Sequence, residues 1–224
     1  MAPVVRGLFG FWAVLVALVV VLPAGVVALA LCRTPEAAWW AAHRAFRVAG
    51  GLTGLRPRVT GRLPEGPFVA VSNHASNLDP LVLLAALPRP VAFVAKREMF
   101  SWPVVGAYAR RLGAVPVERG RAGGRVRAFR EVARAADAGR PVHVFPESTL
   151  SPEPGLLPFR LGAFRLAAER GLPVVPIALE GTRRALPADA ALPRPGRLEV
   201  QILPPIPPGE SPDPVSFRDQ ARQI

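Results

Sequence analysis

From Gly7 to Cys32 the chain runs for 26 residues without a charge, GLFGFWAVLVALVVVLPAGVVALALC. As a helix rising ~1.5 Å per residue, this run covers the ~30 Å hydrocarbon core of a bilayer with some tilt, and it is too short for two spans. Pro23 lies inside it and predicts a kink without forbidding a span, because backbone groups freed by proline are re-satisfied locally. A cleaved signal peptide and a lipoprotein signal fit less well. The stretch exceeds the ~7–15 residues of a signal core, and Leu31 stands before Cys32 where a small residue is wanted. An uncleaved transmembrane anchor over residues 1–33 is therefore expected. Arg6 alone precedes the run, whereas Arg33, Arg44 and Arg47 follow it closely, which puts the rest of the chain on the cytoplasmic side of the cell (inner) membrane.

Residues 34–54 read as a second helix and linker, opened by Pro35 and closed by Gly50 and Gly51. Its Trp39, Trp40 and Phe46 suit a helix lying at headgroup depth, or one whose aromatic rings pack on the domain that follows. That domain, 55–205, alternates short β-branched runs with Ala- and Arg-rich stretches. This is the pattern of an α/β fold with a mostly parallel central sheet flanked by helices. Strands are predicted at 67–72, 90–95, 114–118, 141–145, 173–179 and 197–203, and helices at 80–87, 100–112, 122–138 and 159–170. Residues 206–224 read as a Pro-rich C-terminal tail, and Pro204–Pro214, PPIPPGESPDP, as an extended segment rather than a fold element.

The 224 residues suffice for one domain with an appendage, and 27 of the 28 basic residues are arginine. With a net charge of +12 the chain is expected to meet anionic partners, whether nucleic acid, lipid headgroups or phosphate-bearing and acidic carrier substrates. In 122–138, Val126, Phe129, Val132, Ala133 and Ala136 recur at helical spacing while Arg125, Arg127, Arg130 and Arg134 occupy the remaining surface. Such a face is either simply solvated or in contact with anionic lipid or an acidic acyl carrier. A single cysteine, Cys32, excludes an internal disulfide framework and a cysteine-based zinc site, and His43 and His143 show no ligand spacing. His143, inside an apolar run, reads as a buried strand residue.

The chemistry concentrates in Val69–Pro80, VAVSNHASNLDP, where an apolar strand ends in a polar turn before a helix. Asp79 before Pro80 has a plain structural reading as a helix cap. It also has a chemical one, since a carboxylate five residues from His74 can orient the imidazole as general base for a hydroxyl nucleophile. Backbone N–H groups at a turn or helix start near His74 are the expected oxyanion donors for such a reaction.

Further blocks follow in order: Lys96-Arg97-Glu98, Gly113-Ala114-Val115-Pro116-Val117-Glu118-Arg119, Phe145-Pro146-Glu147-Ser148-Thr149, and Val174-Val175-Pro176-Ile177-Ala178-Leu179. Over roughly 55–205 the sequence resembles the glycerolipid acyltransferase family typified by 1-acylglycerol-3-phosphate O-acyltransferase. The resemblance implies transfer of a fatty acyl group from coenzyme A or acyl carrier protein to a lysophospholipid hydroxyl at the membrane, with no acyl-enzyme, no metal and no cofactor. His74 and Asp79 are then the catalytic pair, and Asn73, Lys96, Arg119, Glu147, Ser148 and Thr149 are substrate-binding candidates, although Pro146 and Ser148 also read as turn formers.

The third block departs from the family's usual Phe-Pro-Glu-Gly-Thr-Arg: Ser148 stands for Gly and Leu150 for Arg. One phosphate contact is thereby lost. Either Arg160 or Arg183 replaces it, or the acceptor carries no simple phosphomonoester, as in lyso-ornithine lipid. Because Arg119 remains, lysophosphatidate is the favoured acceptor. A nucleic-acid binder is disfavoured by the anchor and the lack of a recognition motif, and a silent lipid-binding relative by the intact His-Asp pair.

Overall fold

The computed structural model describes residues 3–118, 124–150, 153, 155–209 and 213–223. The N-terminal run forms α1 (Pro3–Val16), a π-helical turn (Ala17–Val21) and α2 (Leu22–Leu31). The wide turn sits just ahead of Pro23, and in it the Leu22 N–H reaches back to the Ala17 carbonyl. This is how the ladder accommodates a residue with no N–H to donate. Val4–Leu31 is one continuous helical stretch of 28 residues containing an 18-residue window of mean hydropathy 3.0, long and apolar enough to cross a membrane.

The stretch does not stand alone. Gly10 packs on Leu192 and Pro193, the Trp12 indole N–H donates to the Leu52 carbonyl at 3.2 Å, and Gly25 faces the Tyr108 ring. At its far end the Arg111 guanidinium donates to the carbonyls of Leu29 and Cys32, capping α2. Both ends of the helix thus touch residues beyond 100. Its outward face, Val4, Leu8, Phe11, Leu15, Val19 and Val26, stays exposed.

Helix α3 (Pro35–Thr53) starts at Thr34, whose hydroxyl accepts the Ala37 N–H, and runs through both glycines expected to end it, stopping at Gly54 in the left-handed region. Gly50 packs closely on the chain that follows α3, a Cβ there falling 3.1 Å from the Arg56 Cα. Trp39 is buried and stacks on Phe93 at 5.7 Å, and Phe46 packs on the same core, while Trp40 remains at the surface. Of the two sequence readings of α3, domain packing describes Trp39 and Phe46.

The sheet contains β1 (Arg58–Thr60), β2 (Val69–Ser72), β3 (Ala92–Lys96), β4 (Val115–Val117), β5 (Val142–Val144), β6 (Val174–Glu180) and β7 (Glu199–Ile202). Its order is β1-β7-β6-β2-β5-β3-β4, parallel except for the antiparallel β6–β7 pair. Six strands match the expected ones within two residues. β1 was not expected, because its three residues are all exposed and only its backbone pairing with β7 makes it a strand.

Helices α4 (Asp79–Ala86) and α5 (Pro103–Arg111), the latter preceded by a 3₁₀ turn (Arg97–Ser101), lie on the face of α3, where Trp39, Leu83, Leu87 and Val175 form one core. The other core joins Val69, Val71 and Val142 to α6 (Gly124–Asp137), α7 (Gly162–Arg170) and α9 (Pro214–Gln223), with a short α8 (Thr182–Ala185) between β6 and β7. The tail is therefore corrected. Ile206 bridges to Val174, and α9 buries Phe217 and Ala221 in the second core.

Candidate active site

At the C-terminal end of β2 the chain leaves the sheet through residues 73–78. Asn73 makes this break possible by using its side-chain amide as a substitute peptide: Nδ2 donates to the Leu179 carbonyl at 2.9 Å and Oδ1 accepts the Leu179 N–H at 2.7 Å. The pairing of β2 with β6 is thus carried one step further while the backbone turns. The side-chain amide of Asn73, a substrate-binding candidate from the sequence, is engaged in this pairing.

His74 follows directly, and its Nδ1 lies 2.9 Å from Asp79 Oδ2. The same oxygen accepts the N–H groups of Ala75 at 2.7 Å and Ser76 at 2.8 Å. Asp79 is the first residue of α4 with Pro80 second, yet its fully buried carboxylate turns back on the loop rather than capping its own helix. The plain capping reading is therefore corrected: Asp79 closes the loop around His74. With Oδ2 already accepting two backbone N–H groups, Nδ1 is left to carry the proton, so that Nε2 holds the free lone pair. The imidazole retains 19% of its exposure, so it is reachable from solvent.

Phe145 and Glu147 fix the other side of the histidine. The Phe145 ring stacks on the imidazole, centroids 4.0 Å apart and 19° from parallel. Glu147 is buried, and both its carboxylate oxygens are taken, Oε1 by the His74 N–H at 2.7 Å and Oε2 by the Leu157 N–H at 2.8 Å. It clamps the histidine loop to the segment before α7. Behind Phe145 lies His143, fully buried as expected, edge-on to that ring at 4.7 Å with Nε2 3.0 Å from Ser72 Oγ. Burial above all, and then the neighbouring His74, pushes the His143 imidazole down to about 3. It is a neutral support for the site.

Ser148 has φ +64°, and among the described residues it is the only one besides glycine in the left-handed region. A glycine would adopt this turn freely, whereas serine does so at a cost. Thr149 and Lys96 are exposed, the latter at the end of β3. Arg119 lies outside the described residues. The Arg183 guanidinium donates to the carbonyls of Glu153 and Gly155, while Arg160 is exposed and its backbone N–H donates to the Pro146 carbonyl. The backbone N–H groups of His74, Ala75 and Ser76 are all occupied, so the expected oxyanion donors are not these three.

Sequence reasoning placed His74, Asp79 and Glu147 in one site but assigned Glu147 to the acceptor and overlooked Phe145. An aromatic residue after an apolar strand carries no signal that it will face a histidine 71 positions earlier.

The sequence pattern of the Acyltransferase family matches residues 56–180. The chain is 35% identical over 177 residues to 1-acyl-sn-glycerol-3-phosphate acyltransferase alpha of Ovis aries, covering 76% of this chain and 62% of that protein. It is also 38% identical over 145 residues to the lyso-ornithine lipid O-acyltransferase of Brucella abortus, covering 61% and 54%. The alignment with the sheep enzyme thus spans under two thirds of that relative's length. Among solved structures, the 1-acyl-sn-glycerophosphate acyltransferase PlsC of Thermotoga maritima has the same fold, with TM-score 0.83, 24% identity, and coverage of 100% of this chain and 94% of that one.

Proposed function

The chain belongs to the Acyltransferase family, and from that membership we propose that it moves a fatty acyl group from a thioester donor to the free hydroxyl of a lysophospholipid, with 1-acylglycerol-3-phosphate as the favoured acceptor and phosphatidic acid as product. The observation that carries this reading is the His74 Nδ1–Asp79 Oδ2 contact of 2.9 Å on a histidine held by Phe145 and Glu147.

In the proposed reaction His74 Nε2 takes the proton of the acceptor hydroxyl as its oxygen attacks the thioester carbonyl. The resulting imidazolium is stabilised by Asp79. Collapse of the tetrahedral intermediate expels the thiolate, which recovers the proton from His74. The donor, coenzyme A thioester or acyl carrier protein, enters as substrate, and the reaction needs no metal or other cofactor. The exposed apolar face of α1 and α2 supports attachment to the cell membrane, with the catalytic domain on the cytoplasmic side. Arg119, Lys96 and Thr149 remain the proposed acceptor contacts.

A second acceptor has its own support. Leu150 replaces the family's phosphate-binding arginine, and one relative acylates lyso-ornithine lipid. The test is turnover of detergent-solubilised protein with labelled acyl-CoA and acyl carrier donors against lysophosphatidic acid, lyso-ornithine lipid and neutral lysolipids. Transfer that vanishes in His74→Ala is the expected outcome. Near-normal activity of that variant would end the general-base assignment, and silence with every pair would end the enzyme reading.

A further inference from the structure

Given the acyl transfer proposed at His74, on which this inference rests, the donor can be narrowed by a feature outside the site. β2, β5, β3 and β4 are neighbours and parallel, so their C-terminal ends share the sheet edge where His74 lies. α6 follows β4, which lies about three strand spacings, ~14 Å, from β2, and its Arg127 reaches Glu118 just past the C-terminal end of β4. It then runs away from the edge with Arg127, Arg130 and Arg134 on its exposed side.

These arginines are only weakly neutralised. Arg127 reaches Glu118 at 4.0 Å, Arg134 pairs with its helical neighbour Glu131 at 3.2 Å while 74% exposed, and Arg130 has no ion pair among the described residues. Val126, 56% exposed, sits among them in a surface groove lined by Arg127, Arg130, Glu131 and Arg134. Arg165 of α7 extends the surface, its guanidinium lying 5.6 Å from the Phe129 ring centroid. An exposed apolar residue framed by arginines suits an acidic amphipathic helix.

Its place in the fold separates a lipid surface from a soluble partner. α6 packs on the second core with α7 and α9, whereas α3, which carries α1 and α2, packs on the first. The sheet lies between them. α1 and α2 thus join the core on the opposite side of the sheet from α6.

We propose that the arginine face of α6 docks an acidic acyl carrier protein and so brings its thioester to His74. The probes are Arg130→Glu and Arg134→Glu, whose side chains lie outside the buried stripe of Val132, Ala133 and Ala136. Steady-state rates with acyl carrier protein and with acyl-CoA should diverge: KM for the carrier rises about tenfold or more, while kcat and the acyl-CoA constants stay within about twofold. Equal losses with both donors, or no change with either, would overturn the proposal.

Binding of fluorescently labelled holo-carrier, measured by anisotropy without turnover, should be salt-sensitive, weakened in both variants and retained in Arg130→Lys. A wild-type protein that binds no carrier overturns the docking. So does a variant that keeps carrier binding but loses affinity for phosphatidylglycerol vesicles, since the face then serves lipid. If the wild type binds carrier yet turns over neither donor, the acyl-transfer reading fails while the docking stands.

Discussion

His74 can serve as a base only if its proton resides on Nδ1, and Asp79 enforces that by offering the ring an acceptor already anchored by two backbone N–H groups. Asp79→Asn can present its amide N–H to the ring and reverse the tautomer. Turnover is expected to fall about 10³–10⁴-fold with the fold intact, measured as kcat beside the thermal melt. Glu147 separates two roles. As a clamp on the His74 and Leu157 N–H groups it determines where the histidine sits. Gln at this position must turn its amide donor toward one of those N–H groups, so Glu147→Gln should lower kcat about tenfold or more and leave the acceptor KM nearly unchanged. A selective rise in acceptor KM would instead return Glu147 to acceptor binding.

Among the elements, α9 shows how little a composition-based boundary says about packing. Within the Pro-rich stretch before it, Ile206 exchanges two backbone hydrogen bonds with Val174, at 2.9 and 2.8 Å. Asp213 accepts the Val215 and Ser216 N–H groups, starting a helix that delivers Phe217 beside α7. Phe217 is 3% exposed, so Phe217→Ala should cost about 3–5 kcal/mol, read from denaturant unfolding in detergent. A loss below about 1 kcal/mol would mean α9 is only laid on the surface. The N-terminal helix carries the same lesson, because Arg111 and Trp12 tie it to the domain through backbone carbonyls that hydropathy does not register.

For the molecule as a whole, buried histidines set an acid limit. In the unfolded chain His143 titrates near its ordinary value of 6.5, and in the fold burial holds it down to about 3. Below the upper value the unfolded state binds the additional proton, so stability falls with pH. The loss amounts to about 2 kcal/mol between pH 7.5 and 5. His43, also lowered chiefly by burial, adds in the same direction. His143→Gln should flatten the dependence of the melting midpoint over that window, and an unchanged slope would place the acid sensitivity elsewhere. The α/β class, six of the seven strands, the apolar N-terminal helix and the pairing of His74 with Asp79 were all legible along the chain. They rest on periodicity or on residues within a few positions, where covalent geometry limits what can meet. Folding in three dimensions was needed to commit Asn73 to the sheet, to make Glu147 a clamp, to lay Phe145 against the imidazole, and to set the apolar helix and α6 on opposite faces. Each of those depends on contacts across tens of residues, where packing and unmet backbone hydrogen bonds choose partners that spacing along the chain does not encode.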